Sequence, residues 1–301
     1  MSPERLAVAT TVHPASLPYL GDFARSVAAQ DDTDFDLWVT LDDVDVADVE
    51  DALVPVGRAR LRTAPPGATP AGHRSELLTL LCQRYPAVVL VDSDDVLAAG
   101  RVGSARRALE LADVQACAMD LVDANGRALD LTFTTATPDD WLELSTRMNV
   151  VGFGNAAYRS ATLQACLPLP ADAVLVDWWV ITRALALGAR LVFDREPLVA
   201  YRQHGRSSAR VIGPFAHDDL ARGTERVLGH FRRTLDHARG YPEAAVTAIE
   251  AARDEIERFA DVVVRRGAHA EDYLQALNAD RQVFRWWEWI ADRRYRTLWT
   301  R

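Results

Sequence analysis

The run Ala87-Val88-Val89-Leu90-Val91 has no polar position. It is too short for a helix and rich in β-branched residues, so it reads as a strand covered on both faces, the condition of a largely parallel sheet flanked by helices. Up to about residue 210, similar short apolar runs alternate with stretches at helical spacing, which predicts an α/β domain. Leu6–Val12 predicts a first strand and Leu17–Gln30 a helix, with Leu17, Leu20, Phe23, Val27 and Ala28 on one face. Further strands are predicted at Asp36–Leu41 and Arg58–Arg62, and a helix at His73–Arg84. Asp123-Ala124-Asn125-Gly126 predicts the turn of a hairpin inside residues 114–133. A helix at Asp177–Leu187 and short strands at Arg190–Phe193 and Leu198–Arg202 complete the pattern.

After Gly213 the pattern is purely helical. Val227, Leu228, Phe231 and Leu235 form one stripe, and Val246, Ile249, Ile256, Phe259 and Val263 a second. Leu274, Leu277, Phe284, Trp287 and Ile290 form a third. The expected organisation is an α/β domain over residues 1–212 and an all-helical extension over residues 213–301.

The 301 residues include no lysine, so all 34 basic residues are arginine. That excludes a Schiff-base lysine, a pyridoxal enzyme and a P-loop lysine. A net charge of −9 argues against a nucleic-acid partner, which requires many phosphates to be neutralised. Cys82, Cys117 and Cys166 are too far apart for a CxxC zinc site and odd in number for a disulfide framework. The N-terminus has no signal-like apolar stretch, so the expected location is cytoplasmic.

Directly after the buried strand come Asp92, Ser93, Asp94 and Asp95. Adjacent carboxylates repel one another, and a divalent cation with oxygen ligands relieves that repulsion. The carboxyl end of a strand is also where ligands bind in open α/β sheets. A plainer account makes Asp94 or Asp95 a helix cap. The run Asp92-Ser93-Asp94-Asp95-Val96 fits the DxDx(T/V) loop of haloacid-dehalogenase-like phosphohydrolases, with Asp92 as nucleophile. It equally fits the DxD motif of glycosyltransferases. Position favours the second, because two or three strand units precede the motif. Those units also end in polar residues, Thr10, Thr11 and His13 after the first and Asp42 and Asp43 after the second.

With these segments in view, the chain resembles the family 2 glycosyltransferases of the GT-A fold, in particular their rhamnosyltransferase-like bacterial members. Leu41-Asp42-Asp43 is similar to their "VDD", and Leu90 to Asp95 to their "FLDSDD". Val176-Asp177-Trp178-Trp179, running through Leu187-Gly188 to Glu196-Pro197-Leu198-Val199-Ala200-Tyr201-Arg202-Gln203-His204-Gly205, resembles "(E)DWxLxLRxxxxG…EPLxxYRxHG". The resemblance covers residues 5–210. It implies a GT-A sheet and an inverting transfer of sugar from a nucleotide-diphospho-sugar to a glycan or lipid-linked acceptor, in cell-envelope polysaccharide synthesis. Thr11, Asp43, Arg74, Asp92, Ser93 and Asp94 would bind the donor, with Mn2+ or Mg2+ held by Asp92, Asp94 and His204. Arg202 and His204 would form a diphosphate loop, and Asp177 would be the general base. Gly152, Asn155 and Trp178 would shape the donor-sugar or acceptor pocket. Val176 stands where a Glu is usual and His13 where an Asn is usual. The absence of a QxxRW motif implies a non-processive enzyme.

Two other readings follow from the residues. Gly152-Phe153-Gly154-Asn155-Ala156-Ala157 matches a GxGxxA dinucleotide fingerprint, and a catalytically degenerate scaffold would use the helical extension for interaction. In residues 281–301, six arginines and two acids are interleaved with Trp286, Trp287, Trp289 and Trp299. This suits peripheral contact with the inner face of an anionic membrane. The alternative is a last helix packed on the protein or on a second copy, its arginines paired with acids elsewhere.

Overall fold

The computed structural model describes residues 5–205, 209–279 and 282–300. The chain separates into two compact units. The first comprises Met1–Thr135, Val151–Asp172 and Gly188–Arg206, and the second Ala136–Val150, Ala173–Leu187 and Ser207–Arg301. The helical unit thus takes in two excursions from the N-terminal two-thirds of the sequence.

Among the described residues, the first unit carries a nine-stranded mixed sheet. β1 (Leu6–Val12), β2 (Phe35–Leu41), β3 (Ala59–Thr63) and β4 (Ala87–Leu90) form its parallel half in the spatial order β3-β2-β1-β4. β4 is wholly buried, as its unbroken apolar sequence requires, and β1 is almost wholly buried although it carries Thr10 and Thr11. The flanking helices are α1 (Leu20–Ala28), α2 (Val46–Leu53), α3 (Pro70–Cys82) and α4 (Arg101–Leu109). α3 starts at Pro70 rather than at His73. Thr69 caps it by accepting the Gly72 amide, and Pro70 occupies its first turn, a start signal worth about 1 kcal/mol.

The other half of the sheet holds β5 (Val96–Leu97), β6 (Val114–Val122), β7 (Ala128–Phe133), β8 (Ala156–Arg159) and β9 (Leu191–Arg202), in the path β4-β8-β6-β9-β5 with β7 on β6. β6 and β7 form the hairpin predicted around Asn125-Gly126, with Gly126 at φ 78°. The two short strands expected at 190–202 are one strand, β9. It runs parallel to β6, with register shifts opposite Cys117 to Met119 where Asp194 to Pro197 interrupt the pairing. β8 falsifies the dinucleotide fingerprint, because a strand and not a helix follows the glycines.

The second unit contains α5 (Trp141–Ser145), α7 (Val176–Ala186), α8 (His217–Asp236), α9 (Glu243–Phe259) and α10 (Ala270–Ala279), while α6 (Ser160–Ala165) belongs to the first. One turn of π-helix, Ala260–Arg265, continues α9 and carries Val263 inward. The third stripe is helical only as far as α10. Phe284, Trp287 and Ile290 lie in an irregular segment, with Trp287 at φ 66° and Ala291 at φ 52°. Burial explains this departure: Trp286, Trp287, Trp289 and Trp299 are all buried, and no single helical face could bury four indoles spaced this way. Trp289 stacks on Phe215 and Trp299 meets Phe259 edge-on. The Tyr273 hydroxyl donates to the Trp289 carbonyl at 2.9 Å and accepts from the Asp292 amide at 2.8 Å. Arg285 pairs with Glu288, Arg293 and Arg296 with Glu255, and Arg294 with Asp292. The four indoles are thus buried, and these arginines are paired with acids of the same unit. Arg281 and Arg301 lie outside the described residues, and no helix among the described residues is long and apolar enough to cross a membrane.

At the centre of this unit Trp178 stacks on His230, with ring centroids 4.4 Å apart. Neither imidazole nitrogen has a hydrogen-bond partner, and burial pushes the His230 pKa down to about 3. The unfolded chain therefore binds this proton first. Stability present above pH 6.5 is lost as pH falls towards 3, by about 2 kcal/mol at pH 5. His230→Leu should lose correspondingly less stability than wild type between pH 7 and 5 in urea titrations. Equal acid sensitivity of the two proteins would show that His230 is not buried in its neutral form.

Candidate active site

The strand order β2-β1-β4 puts three strand ends side by side, and the polar residues that follow each strand share that edge. After β4, Ser93 is buried, and its hydroxyl donates to the Thr11 carbonyl and contacts Ser16 Oγ, each at 2.8 Å. Ser93 thus ties the β4 loop to the β1 loop, where donor contact was expected.

Asp95 is also buried. Its Oδ1 accepts the Arg202 backbone amide at 2.8 Å, while its Oδ2 has no hydrogen-bond partner. Burial, reinforced by the charges of Asp94 and Asp92, raises its pKa well above the carboxylate range. The expected diphosphate role of Arg202 is corrected by its packing, since the residue is only 2% exposed. Its Nε donates to the Asp94 carbonyl at 2.8 Å, Nη1 to the Ala124 carbonyl at 3.2 Å and Nη2 to Asp22 at 3.0 Å. Its guanidinium also lies over the Tyr19 ring. Arg202 is a brace for the acidic loop.

Two residues further on, His204 Nε2 lies 3.0 Å from Asp94 Oδ2, with its ring against Tyr19. Among the described residues, no three His, Cys, Asp or Glu side chains converge as a metal centre. The protein offers this carboxylate-imidazole pair, with Asp92 in the same loop.

Gly154 packs its backbone against the loop: a Cβ there would stand 2.7 Å from Asp92 Oδ2 and 3.2 Å from Asp95 Oδ2. Asn155 is wholly buried. It accepts the Gly152 amide at 2.8 Å and donates to the Cys117 carbonyl at 2.7 Å. Gly152 and Asn155 therefore build the turn that presents Gly154, and the expectation that Asn155 lines a pocket is corrected by its burial. Thr11, Arg74 and Asp92 do come together, lining with Phe153 and Leu77 a small cavity of about 30 Å³.

After β2, Asp43 is exposed at φ 58°, and Asp42 lies 3.4 Å from the buried His73 ring. Burial lowers the pKa of His73, Arg74 adds to the effect and Asp42 opposes it. His13 is likewise lowered by burial, with Asp94 opposing. The sequence placed Asp95 in the acidic run or as a helix cap, and His73 only at the start of a helix, with no site role for either. A histidine beside Arg74 and a third acid after a DxD motif carry no pattern that reveals their burial.

In the second unit, Asp177 sits in the first turn of α7. Its Oδ1 accepts the Trp178 amide at 2.8 Å and its Oδ2 accepts Asn149 Nδ2 at 3.3 Å. Trp178 is fully buried, with its indole N–H on the Ser145 carbonyl, so it is core and not a pocket wall.

No family model and no curated protein matches the chain by sequence. Solved structures do match. Residues 1–349 of TarS from S. aureus superpose with a TM-score of 0.61 at 16% identity, over 91% of this chain and 78% of that one. Against a longer TarS chain the match spans 47% of that chain. The TarS fragment in complex with UDP-GlcNAc gives a TM-score of 0.57 at 15% identity, covering 97% and 92%. The mannosyltransferase PcManGT from Pyrobaculum calidifontis, in complex with GDP-Man and Mn2+, gives 0.53 at 14% identity, covering 93% and 84%. These neighbours are glycosyltransferases with a GT-A-like fold. The chain has that fold.

Within the GT-A-like sheet, the contact between Gly154 and Asp92 gives a direct test of the loop geometry. Gly154→Ala should displace the Asp92 carboxylate; if this loop holds a nucleoside diphosphate through a divalent cation, as proposed below, the affinity for UDP or GDP with Mn2+, measured calorimetrically, should fall about tenfold, about 1.4 kcal/mol. Unchanged affinity in the folded variant would remove Asp92 from the ligand site.

Proposed function

We propose that the protein is an inverting, non-processive glycosyltransferase of the family 2 type. It would move a sugar from a nucleotide-diphospho-sugar to a hydroxyl of a glycan or lipid-linked acceptor. The observation that carries this reading is the Asp94–His204 pair at the end of β4, braced by Arg202 and flanked by the Asp42-Asp43 edge of β2. The likeness of fold to TarS bound to UDP-GlcNAc and to PcManGT bound to GDP-Man and Mn2+ supports it.

The carboxylate oxygen suits Mn2+ or Mg2+, and the imidazole nitrogen 3.0 Å from it favours the transition-metal ion, Mn2+. Asp94 and His204 would hold the cation, with Asp92 beside them and donor phosphates completing its shell. When bound, the cation neutralises charge developing on the leaving diphosphate.

The chain's own residues account for the remaining steps. Asp43 accepts N–H groups of the donor base, and Arg74 and Thr11 contact the donor beside Asp92. Asp177 takes the acceptor's proton as the acceptor oxygen bonds to the anomeric carbon from one face. The bond from that carbon to the diphosphate oxygen breaks on the other, and the electron pair leaves with the diphosphate.

Two measurements test the reading. In a thermal-shift panel of UDP- and GDP-sugars, at least one donor should raise the melting temperature more with Mn2+ than without, and Asp94→Ala should abolish the metal-dependent part. A variant that still responds normally to Mn2+ would remove Asp94 from the metal site. Asp177→Asn should lower turnover by about 10² to 10⁴ while donor affinity stays unchanged. Equal loss of binding and rate would mark Asp177 as structural.

A further inference from the structure

Asn149 is among the least exposed polar residues of the second unit, at 1%. A buried amide is costly unless its polar atoms are paired. Its backbone is fixed by residues far along the chain, because the Asn149 amide donates to the Trp286 carbonyl at 2.9 Å and the Trp286 amide donates back at 3.1 Å. This reciprocal pair is an isolated antiparallel bridge. The segment that supplies it is itself pinned by the Phe284 amide on the Val211 carbonyl and by Glu288 accepting from Arg285. From this fixed backbone the Asn149 side chain donates Nδ2–H to Asp177 Oδ2 at 3.3 Å.

The other Asp177 oxygen accepts the Trp178 amide. Each carboxylate oxygen thus accepts from a neighbour in the same unit, and together these two bonds restrain the plane of the group. A donor that carries no charge and has no proton to lose restrains the carboxylate without competing for the proton in flight. It also favours the ionised form, which is the form a base must have.

We propose that Asn149 is a positioning residue for Asp177, held in place by the bridge to Trp286, so that the C-terminal segment sets the geometry of the base. The inference rests on the reading of Asp177 as the base, and the experiment separates the two.

The first readout needs no substrate. In protein labelled with 13C at the aspartate carboxyls, with the Asp177 signal assigned from Asp177→Asn, Asn149→Ala should move the Asp177 titration upward by about one pH unit, the size expected for losing a hydrogen bond to a charged group. The near-isosteric Asn149→Asp retains the shape of the site and should move it further, since two carboxylates then share one contact. The second readout is release of UDP from UDP-GlcNAc and of GDP from GDP-mannose, with water as acceptor. In Asn149→Ala, kcat should fall about 10- to 100-fold with donor KM unchanged.

An Asp177 titration that is the same in wild type and both variants overturns the proposal, and so does a shifted titration with wild-type kcat. Wild-type turnover by Asp177→Asn overturns the base reading itself, whatever the titrations of the Asn149 variants show.

Discussion

The site depends on one buried arginine. Arg202 holds the acidic loop by two separate attachments, its backbone amide on Asp95 and its Nε on the Asp94 carbonyl. Its other guanidinium nitrogens reach the hairpin turn at Ala124 and the first turn of α1 at Asp22. Three acids close together in sequence would otherwise splay apart. The brace works because β9 runs parallel to β6 and ends beside the loop, so that His204 follows two residues later and faces Asp94. The guanidinium is a planar fork whose donors are spread over three nitrogens, and a lysine, with all its donors on one nitrogen, could not span acceptors met by Nε, Nη1 and Nη2. In a chain whose basic residues are all arginine, this position is where that choice has a visible structural consequence.

The second unit solves a different problem. It has four tryptophans near the C-terminus and must bury them without a regular helix, so the chain turns through left-handed backbone at Trp287 and Ala291. Gly223 on α8 makes room: a Cβ there would meet the Trp289 ring at 2.7 Å and Ile290 at 2.9 Å. Arg285, Arg293 and Arg294 of this segment pair with Glu288, Glu255 and Asp292. The same packing delivers the backbone of Trp286 to Asn149.

Local patterns made much of the fold legible. The unbroken apolar run of β4 gave its double-sided burial, and the Asn125-Gly126 pair gave the β6–β7 hairpin. What escaped depended on distant packing. β8 is four residues, Ala-Ala-Tyr-Arg, with no alternation, and it follows glycines that mimic a nucleotide loop. Phe284, Trp287 and Ile290 have helical spacing, yet burial of neighbouring indoles overrides it. In the site, the residue types pointed to the acidic loop and the histidine, but burial decides which of them face a ligand. Ser93, Asn155, Trp178 and Arg202 are internal ties, and that distinction is invisible in a motif. Asn149 lies 28 positions from Asp177 in no recognisable pattern with it.

The central claim is that the edge formed by the ends of β1, β2 and β4 receives the nucleoside diphosphate of a sugar donor. A crystal structure with UDP or GDP and Mn2+ tests it most directly. The account predicts the diphosphate and the metal at Asp94 and His204, the base near Asp43, and Arg202 still bonded to the Asp94 carbonyl. Density for the nucleotide anywhere else, or at this edge with the Arg202 guanidinium swung out onto the phosphates, would contradict it.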